Sequence, residues 1–156
     1  MNKTTFFAFE TDFVESLRCI PMIVRMNLDT CGVKLKLEHW HQLSQKEKQS
    51  LVEMPCTTRL EADNYRQWLQ DLIMQKTGSL AKELAIADSP DWLNSKKIPE
   101  SLITKAAEFD LVISSQQWSN LSPVQRFALI KLSRPSHENR NFIPALKEFG
   151  IIAEQA

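Results

Sequence analysis

Glycine is scarce in this sequence, and its scarcity excludes several classes of enzyme. The chain contains three glycines, Gly32, Gly78 and Gly150, and no two of them lie close together. Phosphate-binding turns of the P-loop and GxGxxG types need clustered glycines, because only glycine lets the backbone come close to a phosphate. The GxSxG and HExxH patterns of hydrolases and metalloproteases are missing as well. The sequence therefore shows no familiar catalytic motif, and we expect a protein that is not an enzyme.

Net charge is also lacking. The 19 lysines and arginines are balanced by 19 aspartates and glutamates, and the isoelectric point is about 6.8. Such a chain has no overall field that would attract nucleic acid or an anionic membrane. No run of roughly eighteen apolar residues occurs, and the first residues lack the apolar segment of a signal peptide. We therefore expect a soluble, cytoplasmic protein that binds neither nucleic acid nor membrane.

Cysteine pairs with metal-binding spacing are absent. Cys19, Cys31 and Cys56 are odd in number and form no CxxC pair, which favours free thiols in a reducing compartment. His39 and His41 lie close together in the same half of the chain. A structural zinc site would need tight cysteine or histidine pairs on both sides of the metal. We therefore expect neither a bound metal nor a cofactor.

Two stretches of the chain repeat one pattern. Residues 32–54 read GVKLKLEHWHQLSQKEKQSLVEM, and residues 110–132 read DLVISSQQWSNLSPVQRFALIKL. An offset of 78 residues aligns Leu35 with Ile113, Trp40 with Trp118, Leu43 with Leu121, Ser44 with Ser122, Lys48 with Arg126, Leu51 with Leu129, and Val52 with Ile130. This pattern indicates an internal duplication. The paired tryptophans are expected to be core anchors, because large aromatic side chains dominate core burial.

Helix signals recur at matching places in the two copies. Ser44 and Ser122 each begin a capping box, in which a hydroxyl and a side chain three residues later satisfy each other's backbone amides. A further capping box begins at Thr58, and Pro21 is expected at the first position of a helix that ends at Cys31. The sequence thus predicts a mainly α-helical protein. It would be a single domain, 1–156, built from two tandem pseudo-twofold helical repeats at about 20–73 and 98–149.

The remaining expectations concern how these repeats are joined. Each spans about fifty residues, a size at which an independent core is marginal, so we expect one shared core. Residues 77–97 are expected to form a partly helical connection. Val33–Leu37 alternates apolar and polar residues, which predicts a short extended segment that could pair with its counterpart, Leu111–Ser115. The helix after Ser122 should be more buried than the helix after Ser44, because it carries Phe127 and Ala128 where the first copy has polar residues.

Ser133–Asn141, with the sequence SRPSHENRN, is the most unusual polar run. It concentrates many donors in nine residues, including two guanidinium groups suited to a carboxylate or phosphate. One interpretation is a solvated loop in which Ser136 caps the following helix. The other interpretation is a recognition surface, because the first copy has only an ordinary turn at the corresponding place.

The sequence resembles the nitrate reductase-associated protein family. The resemblance rests on DFVESLRCIPMIVRMNLDTCGVKL near the start and on LSPVQRFALIKLSRPSHENRNFIPALKEFG near the end. It implies a small cytoplasmic protein, found chiefly in cyanobacteria and linked to assimilatory nitrate reductase. No catalytic residues are implied. The second motif contains the polar run, and the residues expected to bind a partner are Arg126, Arg134, His137, Glu138, Asn139, Arg140 and Asn141.

Three functional hypotheses follow. The first is an accessory or assembly factor that binds nitrate reductase and supports its maturation, with loading of the molybdenum cofactor as a conceivable step. The second is a small enzyme, or a metal or cofactor carrier, acting on that cofactor. The third is an interaction module unrelated to nitrate. The absence of catalytic motifs favours binding over turnover.

Overall fold

Helices dominate the computed structural model of the protein, which describes residues 6–10, 17, 19–134 and 140–153. These residues contain eight α-helices and one small antiparallel sheet, which confirms the predicted mainly helical fold. None of the described helices is long and apolar enough to cross a membrane. By its backbone contacts the chain divides into two units. The first contains Phe6 and the described residues from Glu10 to Ala87, and the second contains Phe7–Phe9 and those from Asp88 onward.

The first unit contains four α-helices and both strands. The helices are α1 (Met22–Cys31), α2 (Leu37–His41), α3 (Gln45–Glu53) and α4 (Arg59–Thr77), and the strands are β1 (Val33–Lys34) and β2 (Lys82–Glu83). The predicted capping boxes at Ser44 and Thr58 are present, and each hydroxyl accepts a hydrogen bond from the amide three residues later. Trp40 is completely buried, and its indole N–H donates to the carbonyl of Leu17.

Both ends of α1 lie close to their predicted positions. Pro21 precedes the first helical residue, so it caps the helix rather than occupying its first position. At the other end, Gly32 adopts φ 80°, and its N–H donates to the carbonyl of Leu28. A side chain at Gly32 would also meet Leu84 and Ile86, because its Cβ would lie 2.8 Å from Ile86 Cγ1. Glycine is therefore required here for conformation and for space.

The extended segment at Val33 does pair with another segment, but the predicted partner is wrong. Val33 and Lys34 pair with Glu83 and Lys82, not with Leu111–Ser115. The extended stretch is also shorter than predicted, because α2 already begins at Leu37. β2 lies in the connection 77–97, which is only partly helical, as predicted, with one 3₁₀ turn at Asp91–Leu93. The amide of Gln70 holds this connection by bonding both the N–H and the C=O of Ala81.

The second unit contains the other four α-helices. They are α5 (Glu100–Ala107), α6 (Ser115–Ser119), α7 (Pro123–Ser133) and α8 (Phe142–Glu148). The capping box at Ser122 is present, with Pro123 at the first helical position. Helix α7 buries seven residues, whereas α3 buries three, which confirms the expected difference in burial.

Residues near the start of the chain complete this second unit. The backbone N–H groups of Ala8 and Phe9 donate to the two carboxylate oxygens of Glu148. The ring of Phe7 packs edge-on against that of Phe149, with centroids 4.9 Å apart. The second unit therefore combines residues that are about 140 positions apart in the sequence.

Element boundaries recur at the offset of the sequence repeat. Helices α2 and α6 span 37–41 and 115–119, and α3 and α7 begin at 45 and 123, so each pair is 78 residues apart. The left-handed residue Gly32 also has a left-handed counterpart, Asp110, with φ 60°. Superposition of the two repeats, their single shared core and their pseudo-twofold relation remain predictions.

Candidate partner-binding surface

The described part of the predicted partner-binding run lies at the end of α7 and the start of α8. Arg134 follows the last residue of α7, and Arg140 and Asn141 precede the first residue of α8. These two helices pack against each other within the second unit. His137, Glu138 and Asn139, and the proposed cap Ser136, lie outside the described residues. We refer to Arg134, Arg140 and Asn141 as the α7–α8 corner.

Arg134 is placed by the way in which α7 ends. The hydroxyl of Ser133 donates back to the carbonyl of Ile130 at 2.7 Å, and this serine is buried. The next residue in sequence is Pro135, which disfavours a helical conformation at the residue before it. Arg134 accordingly has extended backbone angles, φ −80° and ψ 149°, and it is exposed to solvent. A cation is thus held at the carboxyl end of a helix, where the helix dipole favours positive charge.

Arg140 and Asn141 offer further polar groups at the start of α8. Arg140 is exposed, and Asn141 is partly buried. Asn141 is the cap residue of α8, yet its side chain makes no capping hydrogen bond. Its amide is therefore not used for the role that asparagine most often has at this position. Together with Arg134, these side chains can donate to carboxylate or phosphate oxygens.

Arg126 has a different environment from the rest of the predicted set. Its side chain is buried, and its guanidinium donates to the carbonyls of Trp118, Ser119 and Trp92 at 3.1, 3.2 and 3.1 Å. It also lies over the indole ring of Trp118, 5.8 Å from the ring centroid. Burial lowers the pKa of this guanidinium. Because Arg126 is buried, whereas Arg134 and Arg140 are exposed, our binding proposal rests on the α7–α8 corner and not on Arg126.

A depression of about 450 Å³ lies beside the end of α7. Ser133 contributes one wall, and the outer face of α5 contributes the others, through Glu100, Ser101, Thr104, Lys105 and Glu108. Lys105 and Glu108 form an ion pair at 3.3 Å across this face. The depression is open and is lined by polar residues that also expose their aliphatic parts, so it suits contact with side chains of another protein. No sequence motif marks α5 as part of a site, because only helical spacing brings these residues onto one face.

Two buried thiols lie close together in the first unit. Cys31 ends α1 and Cys56 precedes α4. The Cys31 thiol donates to the carbonyl of Leu28, and the Cys56 thiol donates to the carbonyl of Asn27. The interaction between the two thiols lowers the pKa of Cys31 and raises the pKa of Cys56, to which burial also contributes. All three cysteines are free thiols. Within the described residues, no group of three or more histidine, cysteine, aspartate or glutamate side chains could hold a metal ion.

Comparison with known proteins identifies a family. The model of the conserved nitrate reductase-associated protein family matches residues 6–149 of the chain. No curated protein and no solved structure shows a significant match.

Proposed function

Because the chain belongs to the conserved nitrate reductase-associated protein family, we propose that it is an accessory factor that binds assimilatory nitrate reductase and supports its maturation. The family match carries this proposal, since it spans 144 of 156 residues (6 to 149) and its description names association with nitrate reductase. We propose loading of the molybdenum cofactor as the step that is assisted. The proposed role is binding without turnover, in the cytoplasm.

The α7–α8 corner supports this proposal as the contact surface. Arg134 and Arg140 are exposed, and each guanidinium can bind a carboxylate through two parallel hydrogen bonds. We therefore expect an acidic patch on the partner. Truncation of an arginine that becomes buried at an interface typically costs about 2 kcal/mol or more, which is roughly a thirtyfold loss of affinity.

The test is the double variant Arg134→Ala with Arg140→Ala, assayed for binding to nitrate reductase with and without its molybdenum cofactor. We expect affinity to fall about thirtyfold or more while the thermal midpoint stays unchanged, because neither side chain is buried. Stronger binding to the cofactor-free enzyme would support a role before loading. The matched control is Lys46→Ala with Lys96→Ala, which removes two other exposed cations.

Two results would contradict the proposal. Full-length protein that does not bind either form of nitrate reductase would remove its basis. Unchanged affinity in the double variant, with a large fall in thermal midpoint, would show that the two arginines only stabilise the fold.

A further inference from the structure

The first unit shows how the stretch after α1 is covered. Leu84 donates its N–H to the carbonyl of Gly32 at 2.8 Å, and Lys34 lies opposite Lys82 in the antiparallel ladder. The backbone groups of this edge are therefore paired with an extended segment. Val33, which lies between Gly32 and Lys34, is completely buried.

The second unit leaves the corresponding stretch uncovered. An offset of 78 residues places Asp110, Leu111 and Val112 where the first copy has Gly32, Val33 and Lys34. The N–H of Leu111 donates to the carbonyl of Ala106, which closes the end of α5. The carbonyl of Asp110 and both backbone groups of Val112 make no hydrogen bond within the part of the chain that the structure describes.

The side chains around this edge are unusual for a surface that only meets water. Val112 is 89% exposed, and Phe109 nearby is 44% exposed. The rim is acidic, because Glu108 and Asp110 are both exposed. Glu108 pairs with Lys105, whereas Asp110 has no ion pair with any described residue. An exposed apolar side chain, beside backbone groups without hydrogen bonds and an acidic rim, is complementary to an extended segment that carries apolar and basic residues.

We propose that the edge formed by Asp110, Leu111 and Val112 binds an extended segment of the partner by strand addition, as β2 covers β1 in the first unit. The identity of the partner rests on the proposed function, so the occupant is a segment of nitrate reductase. Val112 is the anchor, because it presents both an N–H and a C=O. A lysine or arginine of the segment pairs with Asp110.

Asp110 limits how far that segment can follow the path of β2. In the first unit, a Cβ at Gly32 would lie 2.8 Å from Ile86 Cγ1 and 2.9 Å from the carbonyl oxygen of Leu84. Asp110 has such a Cβ. The bound segment therefore pairs at Val112 and turns away from the edge at Asp110, which makes it shorter than its counterpart in the first unit.

Hydrogen exchange of the full-length protein, alone and in complex with nitrate reductase, tests the proposal. We expect the Val112 N–H to exchange fast in the free protein and at least tenfold more slowly in the complex. The Lys34 N–H is the internal reference, because it lies in the ladder with β2 and should be protected in both states.

Two variants of this edge are compared with matched controls. Val112→Pro removes the N–H and should weaken binding at least tenfold, whereas Val112→Thr keeps the backbone donor and should weaken it less. Asp110→Asn tolerates the left-handed backbone but removes the charge, so it should weaken binding and reduce its salt dependence. Thermal midpoints identify any variant that fails to fold, and the exchange experiment remains decisive in that case.

The outcomes distinguish this inference from the proposed function. If nitrate reductase binds and the Val112 N–H is not protected, the edge is not the contact and only this inference fails. If nitrate reductase does not bind the full-length protein at all, both fail. Protection at Val112 together with loss of affinity in Val112→Pro would establish strand addition at this edge.

Discussion

Each copy of the repeated pattern places a cation on its buried tryptophan, but the two cations make different contacts. Lys48 lies 5.6 Å from the centroid of the Trp40 ring, and Arg126 lies 5.8 Å from that of Trp118. The exposed fractions are nearly equal, 8% for Lys48 and 7% for Arg126. Only Arg126 also bonds three backbone carbonyls. Similar sequence and burial therefore do not imply a similar contribution to stability.

The two copies also differ in whether a backbone segment covers their corresponding edges. Backbone of the connection covers the edge at β1, whereas the edge at Val112 is exposed. The last helix of each unit holds a separate stretch of backbone, through Gln70 in the first and Glu148 in the second. The first copy therefore has the more complete structure, and the second retains the exposed groups that a partner could bind.

Exchange of each tryptophan-bound cation for leucine should give the largest contrast. Arg126→Leu leaves the carbonyls of Trp118, Ser119 and Trp92 without their charged donor, and we expect a loss of about 3 kcal/mol in the free energy of unfolding. Lys48→Leu removes only a cation–π contact among the described interactions, so the loss should be under about 1 kcal/mol. Urea denaturation measures both. Equal losses would mean that the carbonyl bonds contribute little.

Exchange of the left-handed residues at equivalent positions of the two copies, Gly32 and Asp110, should give the next largest effect. Gly32→Asp forces a side chain against Ile86 and Leu84 and should cost about 2 kcal/mol or more of unfolding free energy. Asp110→Gly should change it by less than about 0.5 kcal/mol, because relief of backbone strain is offset by a more flexible unfolded chain. Thermal denaturation gives both values. A mild effect of Gly32→Asp would mean that the connection moves aside easily.

Truncation of the backbone-holding side chains should have a moderate and unequal effect. Gln70 is buried, and Gln70→Ala leaves the N–H and C=O of Ala81 unsatisfied in a buried position, at a cost of about 2 kcal/mol. Glu148 is exposed, so water can replace it, and Glu148→Ala should cost about 1 kcal/mol or less. Unfolding free energies from denaturant titration would decide, and a larger loss at Glu148 would contradict this ranking.

Acid should have the smallest effect and should act through the first unit. The hydrogen bond from the Ser44 backbone N–H, together with Lys76, lowers the pKa of Glu47 below its ordinary value of 4.5. Its capping bond therefore stabilises the fold above about pH 4.5, and this stabilisation is lost as the pH falls through the lowered pKa. The corresponding residue of the second copy, Gln125, does not titrate.

The acid effect can be tested by exchange of these two capping side chains. Glu47→Gln should flatten the dependence of the free energy of unfolding on pH below 4.5, by an amount on the order of 0.5 kcal/mol. Gln125→Glu should steepen this dependence. The thermal midpoint as a function of pH measures these changes. An unchanged pH profile in both variants would exclude the capping boxes at Ser44 and Ser122 as sites of titration.

Features that depend on neighbours in the sequence could be predicted. The capping boxes at Ser44, Thr58 and Ser122 and the helix end at Gly32 involve residues within four positions, so the sequence determines them locally. A fourth capping box at Ser114 has the same spacing and could have been found, although we predicted an extended segment there.

Features that depend on distant residues could not be predicted in this way. β2 contains only two exposed charged residues, and nothing in its own composition marks it as the partner of β1. The exposed edge at Val112 is recognisable only by comparison with the pairing of β1, which its own sequence does not indicate. Arginine is usually a surface residue, and the sequence around Arg126 does not mark it as buried. Its burial depends on three backbone carbonyls that the fold brings within hydrogen-bonding distance. The α7–α8 corner was identified by composition alone, and its role in binding remains a prediction.

The contact between Glu148 and the backbone of residues 8 and 9 has a consequence for biosynthesis. Residues 8 and 9 leave the ribosome about 140 residues before Glu148 does. The described residues of the first unit end at Ala87, so its helices can pack while translation of the second unit continues. The second unit must wait for α8, and Phe7 stays without its aromatic partner until Phe149 has been made. Vectorial synthesis therefore gives the two units an order of folding, in which the unit with the exposed edge is completed last.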